Sequence, residues 1–372
     1  MISSLTPGAT PVLDAARFQG EIDGQPVALY TLRNARGMLV CVTNYGAKIE
    51  QILVPDRHGE LADVVLGYDN LQAVAGGSPS MGAFIGRYAG RIEDSGFELD
   101  GQRHVLGANN GPHCLHGGLK GSRLRVFDVV THSVSSVEMR IVFPDGEEGF
   151  PGTLALSVKY SVTESNELVI AYEGVALDKP TVANFTTHGF FNLDGHSSGS
   201  VLGHEVMICA SMYLGMTPDL IATGQVLEVA NTPFDFRQPT PLAARIYGEA
   251  ATGDVTASRT DRVTGYDCCY VVNADPVASQ LALCARVSAP RSGRTLEVWS
   301  TEPALQFYTG LVAGEPLAGG PGKEGATYLQ QQSFCMEPQG YPNAPNLPQF
   351  PSSRHVPGTP RSGRTVYRFG TS

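Results

Sequence analysis

Between Arg125 and Leu177, hydrophobic and polar positions alternate through four successive stretches: RVFDVVTHSV, VEMRIVFP, TLALSVKYSVT and LVIAYEGVAL. Alternation sends neighbouring side chains to opposite faces, so each stretch predicts a half-buried strand. Four in succession, with polar turns between them, predict an antiparallel meander rather than βαβ units. The first part of the chain reads the same way. VALYTLR and MLVCVTN flank Asn34-Ala35-Arg36-Gly37, a hairpin turn, and strand character continues through Lys48–Val54 and Ala62–Gly67. FELDGQRHVL is a strand pair turning at Asp100-Gly101. The second half adds VMICASMYL, CYVVN, LALCARVSA, RTLEVWSTEPALQFYTG and a closing TVYRFG. One short helix is expected over Asn70–Ala75, capped by Asn70 and ended by Gly76-Gly77.

No fixed-period repeat or linker composition divides the chain, and Pro338 to Pro351 reads as a loop leading to the last strand. The expectation is all-β: one large antiparallel β-sandwich domain over residues 1–372. The 43 glycines and 25 prolines suit frequent turns.

Composition narrows the function classes. A formal net charge of -10 and no block of Lys or Arg argue against a nucleic-acid surface, whereas neutral sugars are not repelled. The cysteines (Cys41, Cys114, Cys209, Cys268, Cys269, Cys284 and Cys335) show no repeated CxxC spacing, so neither a zinc finger nor a disulfide framework is suggested. The N-terminal segment lacks the charged and apolar regions of a signal peptide, and no apolar run reaches membrane-spanning length. A reducing, cytoplasmic location is expected, in which the sequon Asn184-Phe185-Thr186 is idle.

Three motif matches fail on context. Gly195-His196-Ser197-Ser198-Gly199 fits the GxSxG nucleophile elbow, but loop and strand follow it where the elbow needs a helix. His113-Cys114-Leu115-His116 offers metal ligands without further ligands at a supporting spacing. Gly82 to Gly90 lacks both GxGxxG and a P-loop lysine.

What remains is polar residues set on turns and strand ends: Arg91, His116, His188, Asp267, Gln306 and Glu337. Singly, each has an ordinary explanation as a surface ion-pair partner, a turn residue, a strand-edge amide or a solvated carboxylate. His188, in Thr186-Thr187-His188-Gly189-Phe190-Phe191-Asn192-Leu193, gains interest from His116-Gly117-Gly118 and Glu337-Pro338-Gln339. A histidine and a glutamate in one cleft make an acid–base pair able to work near neutral pH.

Together these residues sit in six ordered blocks between Gly86 and Asn346. The blocks are Gly86–Ile92, Leu115–Gly118, Thr187–Leu193, Gly265–Asp267, Glu302–Gly310 and Glu337–Asn346. The series resembles the signature of the aldose 1-epimerases, the galactose mutarotases. The resemblance implies a galactose mutarotase-like supersandwich, in agreement with the strand pattern, and isomerase activity on aldohexoses such as galactose and glucose. Carried over by position, it makes His188 the general acid, Glu337 the general base and His116 the second active-site histidine. It assigns Arg91, Asp267 and Gln306 to sugar hydroxyls. Gly90, Gly189, Cys268 and Pro338 depart from the usual Asn, Pro, His and Thr, and bear on sugar preference.

The chemistry suits these residue types. Glu337 takes the proton of the C1 hydroxyl while His188 protonates the ring oxygen; the ring opens, C1 turns, and closure on the other carbonyl face gives the opposite anomer. His116 steadies the charge on that oxygen. The proton accounting closes on side chains, so no cofactor or metal is expected, and the partner is a small-molecule aldose. This chemistry asks Glu337 to stay ionised in a partly desolvated cleft, which raises its pKa, and His188 to stay at least partly protonated; their mutual attraction helps both if they lie close together. Phe190, Phe191, Tyr308 and Trp299 are candidates to cover the apolar face of the sugar. The alternatives are a non-catalytic carbohydrate-binding module, an epimerase of sugar phosphates, which needs extra basic residues in the cleft, and a glycoside hydrolase, for which Asp267 and Glu337 are the available carboxylates.

Overall fold

The computed structural model describes residues 10–246, 263–273, 280–311, 315–317 and 319–372; residues 1–9 of the N-terminal segment analysed above lie outside it. The alternating run from Arg125 forms strands Asp128–His132, Ser136–Phe143, Leu154–Val162 and Glu167–Ala176, paired in order as an antiparallel meander. In Ser136–Phe143 the alternation is read out directly, since Val137, Met139, Ile141 and Phe143 are buried and Arg140 and Val142 are exposed. The meander continues through Arg361–Thr371, Arg294–Ser300, Ala282–Ser288, Glu205–Ile208 and Thr240–Pro241 into a nine-stranded sheet.

Against it stand a four-stranded sheet of Leu29–Arg33, Leu39–Thr43, Lys48–Pro55 and Leu61–Asp63, and a five-stranded sheet. The five-stranded sheet runs Ala222–Glu228, Met212–Met216, Tyr266–Val271, Ala304–Gly310 and Cys335–Gln339. Apolar side chains from all three sheets, among them Ile52, Leu156, Ile170, Phe307, Met336 and Tyr367, share one buried cluster. Each such side chain contributes roughly 1.5–3 kcal/mol by leaving water. Two buried tyrosines lock the layers: the Tyr160 hydroxyl donates to the Ala47 carbonyl at 2.7 Å and the Tyr367 hydroxyl to the Met336 carbonyl at 2.8 Å.

The short helix occupies Leu71–Gly76, with the Asn70 side chain accepting from the Ala73 amide. Two stretches read as continuous strands are corners. VMICASMYL divides into Glu205–Ile208 and Met212–Met216, which belong to different sheets, and RTLEVWSTEPALQFYTG divides into Arg294–Ser300 and Ala304–Gly310 in the same way. At the second corner Pro303 has no amide to donate to a ladder, and the half-buried Glu302 carboxylate takes a hydrogen bond from the Tyr172 hydroxyl. Among the described residues no helix is long and apolar enough to cross a membrane.

Candidate active site

The three central positions arrive from three different local structures. His188 follows the two-residue strand Thr186–Thr187, which pairs with Phe84–Ile85. Its backbone is fixed on both sides, its amide donating to Ala83 at 2.8 Å and its carbonyl accepting from Gly82 at 2.9 Å. Glu337 lies in Cys335–Gln339, in register with Gln306 of the neighbouring strand, which in turn opposes Cys269. Alternation therefore aims Asp267, Gln306 and Glu337 toward one mouth of the sheet.

His116 sits on a tight turn with φ of 54°, followed by Gly117 and Gly118 at 81° and 89°. Gly117 is needed there for a second reason: a Cβ would stand 2.6 Å from the Gly86 carbonyl oxygen and 2.7 Å from the Arg87 nitrogen. Arg123, buried beneath the turn, donates to the carbonyls of Leu115, His116 and Gly118. The sequence gives little notice of this residue, because its role is to satisfy backbone oxygens that no strand partner reaches.

Arg91, His116, His188, Asp267, Gln306 and Glu337 all line one cavity of about 490 Å³. His188 Nε2 faces Glu337 Oε1 at 3.6 Å. The His188 ring stacks on Phe190 with centroids 4.9 Å apart and meets His116 edge-on at 5.4 Å. The Gln306 amide donates to Asp267 Oδ1 at 2.5 Å, and Arg91 approaches Asp267 Oδ2 at 3.9 Å. His116 Nδ1 accepts from the Gly90 amide at 3.2 Å, which leaves the ring proton of the neutral form on Nε2.

Burial dominates the electrostatics. It lowers His188 to about 4 and pushes Glu337 well above the carboxylate range, with the nearby Asp267 adding to the latter shift. His116 is held well below 6.5 by burial and by the neighbouring His188, Arg123 and Arg91. Asp267 is raised by burial and drawn back by Arg91 and Gln306. Burial by itself thus favours a neutral His188–Glu337 pair over the ionised pair expected from the chemistry. The opposing term is their mutual attraction, on the order of 4 kcal/mol at this separation with an effective dielectric of about 20. The burial cost it opposes has two parts, about 3 kcal/mol at His188 and a further one at Glu337.

Of the aromatic candidates, Phe190 and Tyr308 line the cavity. Phe191 is fully buried against Phe334 and Tyr367, and Trp299 lies under the Arg368 guanidinium. Gln339 also lines the cavity, two residues after Glu337 and hence on the same strand face, so period two alone would have found it. Met216, Leu220, Leu311 and Pro342 complete an apolar wall that has no local signal. Cys268 and Pro338 do not line the cavity; they alternate away from it. Gly90 does line it, at a φ of 80°, a left-handed position that Asn also tolerates.

Residues 28–368 match the family model described as aldose 1-epimerase. The chain belongs to the aldose 1-epimerase family. It is 38% identical to a galactose mutarotase of Bos taurus over 90% of this chain and 91% of that protein. With an aldose 1-epimerase of Escherichia coli K12 it shares 33% identity over 93% of this chain and 96% of that protein. A solved aldose epimerase homologue from C. elegans superposes with a TM-score of 0.82 at 26% identity, covering 93% of this chain and 99% of the other. As a member of this family the protein is an isomerase, acting as a mutarotase on a small-molecule aldose, and the all-β fold is the family's fold.

Proposed function

We propose that this aldose 1-epimerase interconverts the anomers of D-galactose and D-glucose, with His188 as general acid and Glu337 as general base. The observation that carries the assignment is the facing of His188 Nε2 and Glu337 Oε1 at 3.6 Å inside the cavity that also gathers the other expected residues. The relatives named galactose mutarotase support galactose as substrate.

The pair's protonation states define the reaction. In the reactive state Glu337 is ionised and His188 protonated. Glu337 takes the C1 hydroxyl proton, His188 gives its proton to the ring oxygen, and the C1–O5 bond breaks. What remains is the open-chain aldehyde and a neutral pair, the form that burial favours. Desolvation therefore assists ring opening, while the attraction between the charged partners assists the return after C1 has turned about the C1–C2 bond. The two terms oppose each other, burial of both side chains favouring the neutral pair and their attraction favouring the charged one. Each proton transfer is worth roughly 10²–10⁴-fold. His116 serves as a neutral donor from Nε2 to the ring oxygen, its other nitrogen being occupied by Gly90. Arg91, Asp267 and Gln306 take sugar hydroxyls, and Phe190 and Tyr308 cover the apolar face of the ring. Among the described residues Arg91 is the lone Arg or Lys in the cavity lining, and it faces Asp267, an arrangement that does not favour a sugar phosphate. The seven unpaired thiols support a reducing, cytoplasmic compartment.

Polarimetry of freshly dissolved α-D-galactose and α-D-glucose tests the roles. The wild type is expected to speed the decay of rotation, and folded His188→Asn and Glu337→Gln variants to lose about 10²–10⁴-fold in kcat. Near-wild-type rates in either variant would remove that residue from the mechanism.

A further inference from the structure

His188 and Glu337 have a third neighbour that the proton-transfer chemistry leaves unused. Cys335 lies two residues before Glu337 on the same strand, so both side chains leave the same face. It is fully buried, in the apolar cluster that contains Phe190 and abuts Tyr308. One ligand atom each from His188, Cys335 and Glu337 lie within 4.8 Å of one another. Tetrahedral zinc, with bonds of about 2.0–2.3 Å, sets its ligands roughly 3.3–3.8 Å apart. The 3.6 Å between His188 Nε2 and Glu337 Oε1 already falls in that range, so assembly requires the thiol to close by no more than about 1.5 Å.

We propose that His188, Cys335 and Glu337 form an inhibitory Zn²⁺ site, the fourth coordination position opening into the cavity. Imidazole, thiolate and carboxylate are the donors zinc takes in sites with three protein ligands and one free position. The thiolate selects zinc over magnesium or calcium, which prefer oxygen. Two negative donors balance the ion, so the occupied site is neutral in a buried setting. Binding expels the thiol proton and the one proton the His188–Glu337 pair holds. It removes the acid and the base together, and the ion occupies space the sugar needs. The inhibition rests on the reading of His188 and Glu337 as the catalytic pair; the metal site itself does not.

The test uses full-length, chelator-treated enzyme with ZnCl₂ and CoCl₂. Wild type is expected to bind one Zn²⁺, to lose mutarotation as it does so, to resist in the presence of excess galactose, and to recover with EDTA. Co²⁺ should give a thiolate-to-metal charge-transfer band in the near ultraviolet. Cys335→Ser is expected to keep its metal-free rate, to lose the band, and to need roughly 10–100-fold more Zn²⁺ for the same inhibition, at least the cost of removing an outer-shell partner. Cys335→Ala repeats the experiment if serine is not tolerated. In Glu337→Gln the band should remain while Co²⁺ binds more weakly, a result independent of activity. Inhibition of Cys335→Ser at the wild-type Zn²⁺ concentration, or a band that survives in it, would overturn the site. Failure of metal-free wild type to mutarotate would instead overturn the catalytic reading, with the Co²⁺ spectra still deciding the metal site.

Discussion

Burial acts in opposite senses on the two facing residues: His188 is drawn down to about 4 and Glu337 is pushed well above the carboxylate range. In the proposed mechanism the pair holds one proton, so activity falls when a second proton is added or the one is removed. A second proton must go to His188 with Glu337 already protonated, and burial moves that event from 6.5 to about 4. The pH dependence of kcat/KM is therefore expected to stay flat between pH 6.5 and about 5, with its acid limb near 4. An acid limb at 6.5 would mean that His188 titrates as an exposed imidazole. The same shift bears on stability. Its folded pKa is below its unfolded one, so protonation favours the unfolded chain and stability declines as pH drops from 6.5 toward 4. His204 and His355, also held near 4 by burial, act in the same direction, so near-ultraviolet circular dichroism should accompany the rate profile. The direction at Glu337 was legible in the sequence once a partly desolvated cleft was expected, but the shifts of the histidines were not, because residue types do not show how deeply each side chain is buried. The expected rise of Glu337 in a partly desolvated cleft is met, whereas burial opposes the at least partly protonated His188 that the chemistry asks for.

At the level of elements, the site depends on how separate blocks are tied. Asn184, buried four residues before His188, donates to the carbonyls of Ala89 and Gly340 at 2.9 and 3.1 Å and accepts from the Gly340 amide at 2.8 Å. One side chain thus joins the Gly86–Ile92 turn to the segment after Glu337. Asn184→Ala leaves backbone groups unsatisfied and is expected to cost about 1–3 kcal/mol, read by urea unfolding. Loosening of the two blocks should also lower kcat by roughly tenfold or more at a temperature where the variant is folded. Asn184→Asp keeps the acceptor for Gly340 and should recover part of the loss; equal defects in both variants would point to a general packing role. The sequence identified Asn184 only as part of an idle sequon, because its partners lie 95 and 156 positions away. Gln339 is the contrasting case, since its face follows from that of Glu337 by alternation within one strand.

Across the whole molecule, the cavity is the seam between the five-stranded sheet and the loops that carry His116 and His188, and the nine-stranded sheet supports it from behind. Tyr367, on the closing strand, donates across the layers to the carbonyl of Met336, next to Glu337. Tyr367→Phe keeps the ring and removes the bond. The expected cost is about 1 kcal/mol, with kcat altered more than KM because the strand under the base loosens. Thermal unfolding and polarimetry measure the two effects; unchanged stability would show that the layers are registered by apolar packing alone.

The sequence by itself determined the strands, the meander, the capped helix and the six residues that share the cavity, because alternation, turn chemistry and ordered blocks are local properties of the chain. It misread the corners at Cys209–Ser211 and Thr301–Pro303, where hydrophobicity runs on although the chain changes sheet. Only the tertiary structure decided which aromatic residues line the cavity, that Arg123 braces the His116 turn, that Cys335 stands beside His188 and Glu337, and the direction in which burial shifts each of these two. Each of these depends on distances between parts of the chain far apart in sequence and on the exclusion of water between them, and neither quantity exists until the sheets have closed on one another.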